Sequence, residues 1–284
     1  MEQNKLSSST YQLRRFAQAT LRQFVNNRSW QKLIAGPLRI ILFIPGAWHS
    51  PLCFDAVIKG LQNDRYNTDV VHLPSVDPVI PHSDFADDVS QIKKQIEIAA
   101  SAGQRVIVVV HSYGGVPGCE AIRGLDWETR QLNGQPGGVV HLFFCCSFIV
   151  PEGKSLISSF GGEDLPWFNV SHDRLLVTPA TPRDTFYNDM TEVEAKKAAD
   201  ALKPHSYQTF HSKLTFEAWR YVPSTYLYCL QDAAIPIFIQ RMMVEEVAKG
   251  VRIHTDVVDA SHSPFYTAPT QVVAAIKKAD NEQI

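Results

Sequence analysis

The stretch VIVVVHSYGGVPG, from Val106 to Gly118, runs a string of branched apolar residues into a His-Ser-Tyr-Gly-Gly turn. Such a run suits a strand buried on both faces, and the paired glycines suit a sharp turn into a helix. Ser112 sits between them, where the reversing backbone pushes its hydroxyl out of the sheet. A serine hydroxyl becomes a nucleophile only when a base takes its proton and a third group orients that base. Two late residues have the required types. Asp232 stands in QDAAIP after the apolar segment TYLYCL, and His262 stands in DASHSPF after IHTDVV. Ligand sites of α/β sheets lie at the carboxyl ends of the strands, so all three residues fall on one rim. Serine, acid and histidine also follow the chain order of a nucleophile elbow on such a sheet. The rival acids are weaker: Asp259 is close to His262 in sequence, Asp256 lies inside a strand, and Asp126 and Glu128 follow the elbow helix.

Acyl chemistry also needs two backbone N–H groups aimed at one point to hold an oxyanion. Tyr113 N–H supplies one. The loop PGAWHS leaves the first strand at the same rim, Gly46 lets it turn closely, and Ala47 N–H is the second candidate. Trp48 and His49 follow as candidate substrate contacts. For His49 the alternative role, bracing the loop, is preferred.

These residues need a scaffold, and the hydrophobic pattern supplies one. From Leu38 onward, the apolar runs Ile40–Ile44, Thr68–Leu73, Val106–Val110, Val139–Val150, Tyr226–Leu230 and Ile253–Val258 read as strands. Helical stretches lie between them, at about 54–61, 85–100, after Gly114, in IPIFIQRMMVEEVAKG, and at about 270–278. Strands alternating with helices predict βαβ crossovers and an α/β fold with a mostly parallel sheet. Residues 151–222 break the rhythm. They are rich in aromatics and show no convincing strand pattern, so they read as a helical cap over the sheet, with Phe160 and Trp167 as candidate substrate contacts. The core is then 38–150 and 223–284.

Residues 1–37 differ in character. They carry Arg14, Arg15, Arg22, Arg28 and Lys32 but only Glu2 as an acid, and Leu13, Phe16, Leu21, Phe24 and Val25 share roughly one helical face. An amphipathic arm, packed on the body or on a second subunit of a homodimer, is the preferred reading, with a mitochondrial-type presequence as the alternative.

Composition narrows the remaining classes. Over 284 residues, Lys+Arg 27 against Asp+Glu 29 leaves no charge excess for nucleic acid or an acidic membrane surface. The run VVHLFFCCSFIV is too short to span a bilayer. Cys53, Cys119, Cys145, Cys146 and Cys229 are odd in number and show no CxxC or zinc spacing, which predicts buried reduced thiols, no metal and a cytoplasmic protein. GQPGG lacks the Lys-Ser/Thr of a phosphate loop and no GxGxxG follows a strand, so no cofactor is expected.

Taken together, FIPGAWHSPLCFDAVIKGL, VVVHSYGG, LYCLQDAAIP and DASHSPF resemble the α/β-hydrolase superfamily, in particular its small-cap group of plant methyl esterases, hydroxynitrile lyases and related fungal and bacterial hydrolases. The resemblance runs from about Leu38 to the C-terminus. It implies the α/β-hydrolase fold, with Ser112 as nucleophile, His262 as general base, Asp232 as its orienter, and Ala47 and Tyr113 N–H as the oxyanion hole. Two departures stand out: Pro45 replaces the usual His-Gly before the oxyanion loop, and Val110 replaces the first glycine of the G-x-S-x-G elbow. The expected function is a cofactor-independent serine hydrolase cleaving a carboxylic ester or lactone of an apolar small molecule through an acyl-enzyme. The alternatives are a lyase or cyclase using the same triad, or a catalytically weak ligand receptor.

Overall fold

The computed structural model describes residues 39–281; the arm expected at 1–37 lies outside the described residues. The strands in chain order are β1 (Arg39–Ile44), β2 (Asn67–Val70), β3 (Arg105–His111), β4 (Gly138–Cys145), β5 (Phe168–Val170), β6 (Leu176–Pro179), β7 (His205–Ser206), β8 (Ser224–Cys229) and β9 (Ile253–Val258). Six of them form a parallel sheet in the order β2-β1-β3-β4-β8-β9.

The apolar runs follow from this arrangement. Alternate side chains of β3 feed two separate cores, as the period of two in a strand requires. Val106, Val108 and Val110 pack with Leu142 and Phe144 on one face, while Ile107 and Val109 pack with Ile41, Phe43 and Phe143 on the other. Helices cover both faces, so neither half of the alternation can be polar. Asp55–Asn63 and Pro269–Asn281 bury Val57, Leu61, Val272 and Ile276 on one side. Ala86–Ser101 and Gly115–Ala121 bury Ile92, Ile96, Val116 and Cys119 on the other. All five cysteines are free and buried.

Three expected elements differ in detail. The run expected as one strand to Val150 leaves the sheet after Cys145, because Cys146 takes a left-handed φ of +33° and turns residues 147–150 over the sheet edge. The helix expected after Pro236 is α-helical over Ile237–Met242 and then widens into a π-helical turn over Met243–Val247. Residues 151–222, expected as a helical cap, carry helices at Leu156–Ser159, Pro182–Phe186 and Glu192–Asp200, and also an antiparallel sheet, β5-β6-β7, that their pattern did not announce. These strands are only two to four residues long, too short to show an alternation.

Burial imposes a pH dependence on this core. His49 and His141 are pushed down to about 4 and His205 to about 3, chiefly by desolvation. Their folded values lie below the unfolded value, so as pH falls below about 6.5 the unfolded chain takes up protons that the fold refuses. Each such histidine then removes about 1.4 kcal/mol of stability per pH unit. Urea midpoints measured from pH 7 to pH 5 should therefore fall steeply; a flat profile would contradict neutral buried imidazoles.

Candidate active site

β3 delivers Ser112 at the rim with φ +50°. For a residue other than glycine that geometry costs roughly 1–2 kcal/mol and persists only where the surroundings enforce it. A 3-10 turn over Ser112–Gly114 and the helix from Gly115 follow, which is the strand-turn-helix form of a nucleophile elbow. The neighbouring strand ends press directly on this turn. A Cβ at Gly114 would lie 2.5 Å from the Pro45 carbonyl oxygen, one at Gly115 2.4 Å from that of Phe148, and one at Gly46 2.8 Å from Ser112 Cβ. The Ser112 carbonyl is in turn held by Ser147 Oγ at 2.7 Å and Phe148 N–H at 3.1 Å.

Val110, where the elbow pattern has glycine, has a specific compensation. A Cβ on Gly118 would come within 2.8 Å of Val110 Cγ1, so the bare helix residue makes the room that the strand residue uses. Gly118→Ala is therefore expected to destabilise by about 1–3 kcal/mol through overpacking. In a Val110→Ala background the same change should be neutral or stabilising, because alanine is the better helix former. Urea denaturation of the four proteins in this cycle reads the sign; equal effects in both backgrounds would reject the pairing.

Asp232 and His262 follow β8 and β9, next to each other in the sheet. His262 Nδ1 donates to Asp232 Oδ2 at 2.8 Å, and both side chains are buried. An ionised carboxylate only accepts, which puts the proton on Nδ1 and leaves Nε2 as the basic nitrogen. The other oxygen of Asp232 accepts from Ala234 and Ile235 N–H at 2.8 and 2.7 Å, so the carboxylate orientation is locked from its own loop. Gln240, unremarked in the sequence, donates to Oδ2 at 3.3 Å and to the Ile235 carbonyl at 2.7 Å. The rival acids are engaged elsewhere: Asp256 pairs with Lys278, Asp259 accepts from Gln231, and Asp126 caps the helix at Trp127–Leu132.

The His262 loop is tied to β3, the strand that leads into Ser112, by His111, a residue to which the sequence assigns no role. His111 Nε2 donates to the His262 carbonyl at 2.8 Å, and the two ring centroids are 4.7 Å apart. Cys146 Sγ bonds the same carbonyl at 3.3 Å. These three side chains bring ligand-type atoms within 4.8 Å of one another. The His111 and Cys146 donors, however, are both committed to that carbonyl, so the cluster works as a scaffold for the histidine loop. Burial and the two neighbouring imidazoles hold the His111 pKa well below its usual value, so it serves as a neutral donor.

Ala47 and Tyr113, the candidate oxyanion donors, line the same cavity as Ser112. The Ala47 N–H has no backbone acceptor among the described residues. The Tyr113 side chain is anchored below the site: its hydroxyl donates to Asp88 at 2.7 Å, and Asp88 also accepts from Ser75 N–H and Oγ. Burial raises the Asp88 pKa. In sequence Asp88 looks like an ordinary first-turn helix acid.

The candidate substrate contacts separate into different places. Trp48, at φ +65°, and Trp167 line the cavity, with ring centroids 5.5 Å apart. His49 points its ring elsewhere: Nδ1 donates to the Ala47 carbonyl at 2.9 Å and Nε2 accepts from Tyr187 at 3.0 Å, so it braces the loop against the cap. Phe160 packs edge-on against Phe148 at 5.5 Å and lines a second cavity. The cavity at Ser112 is small, about 10 Å³, and none of the side chains lining it is charged.

Comparison with known proteins agrees with this architecture. The α/β hydrolase family profile matches residues 41–276. The α/β hydrolase nvfD of Aspergillus novofumigatus is 30% identical over 249 residues, covering 86% of this chain and 97% of that protein. The pyrethroid hydrolase of Sphingobium wenxiniae is 25% identical over 257 residues, 83% of this chain and 85% of its own length. The crystal structure of the methylesterase MES16 from Arabidopsis superposes with a TM-score of 0.65 at 17% identity, covering 86% of this chain and 98% of that one. The chain belongs to the α/β hydrolase family.

Proposed function

We propose that the protein hydrolyses a carboxylic ester or lactone of an apolar small molecule, with Ser112, His262 and Asp232 as a catalytic triad. The observation that carries this reading is the buried 2.8 Å Asp232–His262 pair on the rim where β3 presents a serine at φ +50°. Ser112 Oγ attacks the ester carbonyl as His262 Nε2 takes its proton, and Asp232 stabilises the imidazolium. The oxyanion rests on Ala47 and Tyr113 N–H, such a donor being worth about 3–4 kcal/mol in the transition state. His262 returns the proton to the leaving alcohol, and a water activated by the same nitrogen releases the acid from Ser112. A relative named as a pyrethroid hydrolase and an uncharged, aromatic cavity both support an apolar substrate.

The test is stoichiometric labelling by a fluorophosphonate, mapped by mass spectrometry, beside turnover of p-nitrophenyl acetate and butyrate. An adduct on Ser112 with matching loss of turnover is expected. An adduct without any ester turnover in the untreated enzyme would favour the lyase or cyclase reading, and an adduct elsewhere would reject Ser112.

A further inference from the structure

The cavity at Ser112 is small. At about 10 Å³ it falls far below the roughly 300–1,000 Å³ of pockets that enclose drug-sized ligands. An ester has two arms on either side of the carbonyl, and a space of this size cannot take both. A second cavity of about 260 Å³ lies beside it, between the segment leaving β4, the helix Leu156–Ser159 and the helix that begins at Ile237. Phe148 alone is common to the linings of both cavities, and it is backed by Phe160.

The far wall of the second cavity has the features of a binding surface. It is formed by Met242, Met243 and Val247, and the last two belong to the π-helical turn. Such turns are uncommon and recur at functional sites, because they displace side chains from the regular helical path. Methionine is unbranched and polarisable, so it adapts to chains of varied shape. One end of the wall is pinned, since the Met243 sulfur accepts the Ile149 N–H at 3.3 Å. Lys154 stands at the edge, the one charged residue in the lining.

We propose that the second cavity receives the long apolar arm of the substrate, and that Phe148 is the partition past which this arm passes from the Ser112 site. The substrate class is then an ester with one compact arm and one extended aliphatic or alicyclic arm. This deepens the hydrolase reading and rests on it for catalysis, but the cavity can also be tested by binding alone.

The kinetic test compares p-nitrophenyl acetate with the decanoate. A buried methylene changes transfer by about fourfold, so losing two or three from the cavity should change a rate ratio by tenfold or more. Val247→Trp and Ser159→Phe place bulk from opposite walls, and either should lower the decanoate-to-acetate ratio of kcat/KM at least tenfold. Phe148→Ala merges the cavities and should raise that ratio. An unchanged ratio in both filled variants, each shown by circular dichroism to be folded, overturns the proposal.

The binding test titrates decanoate into Ser112→Ala by calorimetry. A Kd weakened at least tenfold by adding Val247→Trp supports the cavity even if Ser112 proves not to be the nucleophile. Equal Kd values in the two proteins overturn it even if the triad holds.

Discussion

Ser112→Ala is expected to lower kcat for carboxylic esters by roughly 10⁴- to 10⁶-fold, the range seen when the nucleophile of a triad is removed. The loss should be the same for activated and unactivated esters, because it removes the atom that forms the acyl bond. The fold should survive, since alanine occupies less space than serine and the elbow is held by Ser147 and Phe148 through the Ser112 carbonyl. Ser112→Gly provides the companion measurement. It should lose activity equally yet gain about 1 kcal/mol of stability, because only the glycine relieves the φ of +50°. An increase in the thermal midpoint for glycine but not alanine would locate the strain in the backbone of the elbow. Turnover of Ser112→Ala within tenfold of the parent would reject the proposed nucleophile.

Asp232→Asn is expected to lower kcat by about 10⁴-fold with a much smaller change in KM, through the tautomer of His262. The geometry dictates the amide orientation. Oδ1 accepts two backbone N–H groups, so the asparagine oxygen must stay there and its NH₂ must face His262. The imidazole then accepts at Nδ1 and carries its proton on Nε2, where it can no longer take one from Ser112. The Gln240 amide, which donates to the same oxygen, would also face a donor, so a modest loss of stability should accompany the kinetic effect. Asp256→Asn and Asp259→Asn serve as controls, because those carboxylates meet Lys278 and Gln231 and not the imidazole. A fall of less than tenfold in Asp232→Asn would remove this carboxylate from the mechanism.

Much of the scaffold was legible because it depends on local pattern. Val106–Val110 and Val139–Phe144 are apolar at every position except His141, which marks strands covered on both faces, and the helix Ala86–Ser101 shows its stripe at Ile92 and Ile96. The cap was only partly legible. Its helix at Glu192–Asp200 is announced by the Thr191–Glu194 capping box, whereas β7 is two residues long and exists because it pairs with β6. The site divides in the same way. Trp48 and Trp167 lie at the cavity, His49 takes the loop-bracing position preferred for it, against Tyr187, and Phe160 turns to the second cavity.

What the chain alone determined is the succession of buried strands and the order in which an alcohol, a carboxylate and an imidazole reach their carboxyl ends. Both are one-dimensional properties, set by hydrophobic period and by position relative to the strands. Only the tertiary structure decided which groups meet across the chain: Gly118 yielding space to Val110, His111 and Cys146 sharing the His262 carbonyl, Asp88 beneath Tyr113, and Phe148 between two cavities. Hydrogen bonds and close packing act over a few ångströms in space and carry no signature in sequence separation, so residues 111 and 262 meet only once the parallel sheet has brought their strands to one edge.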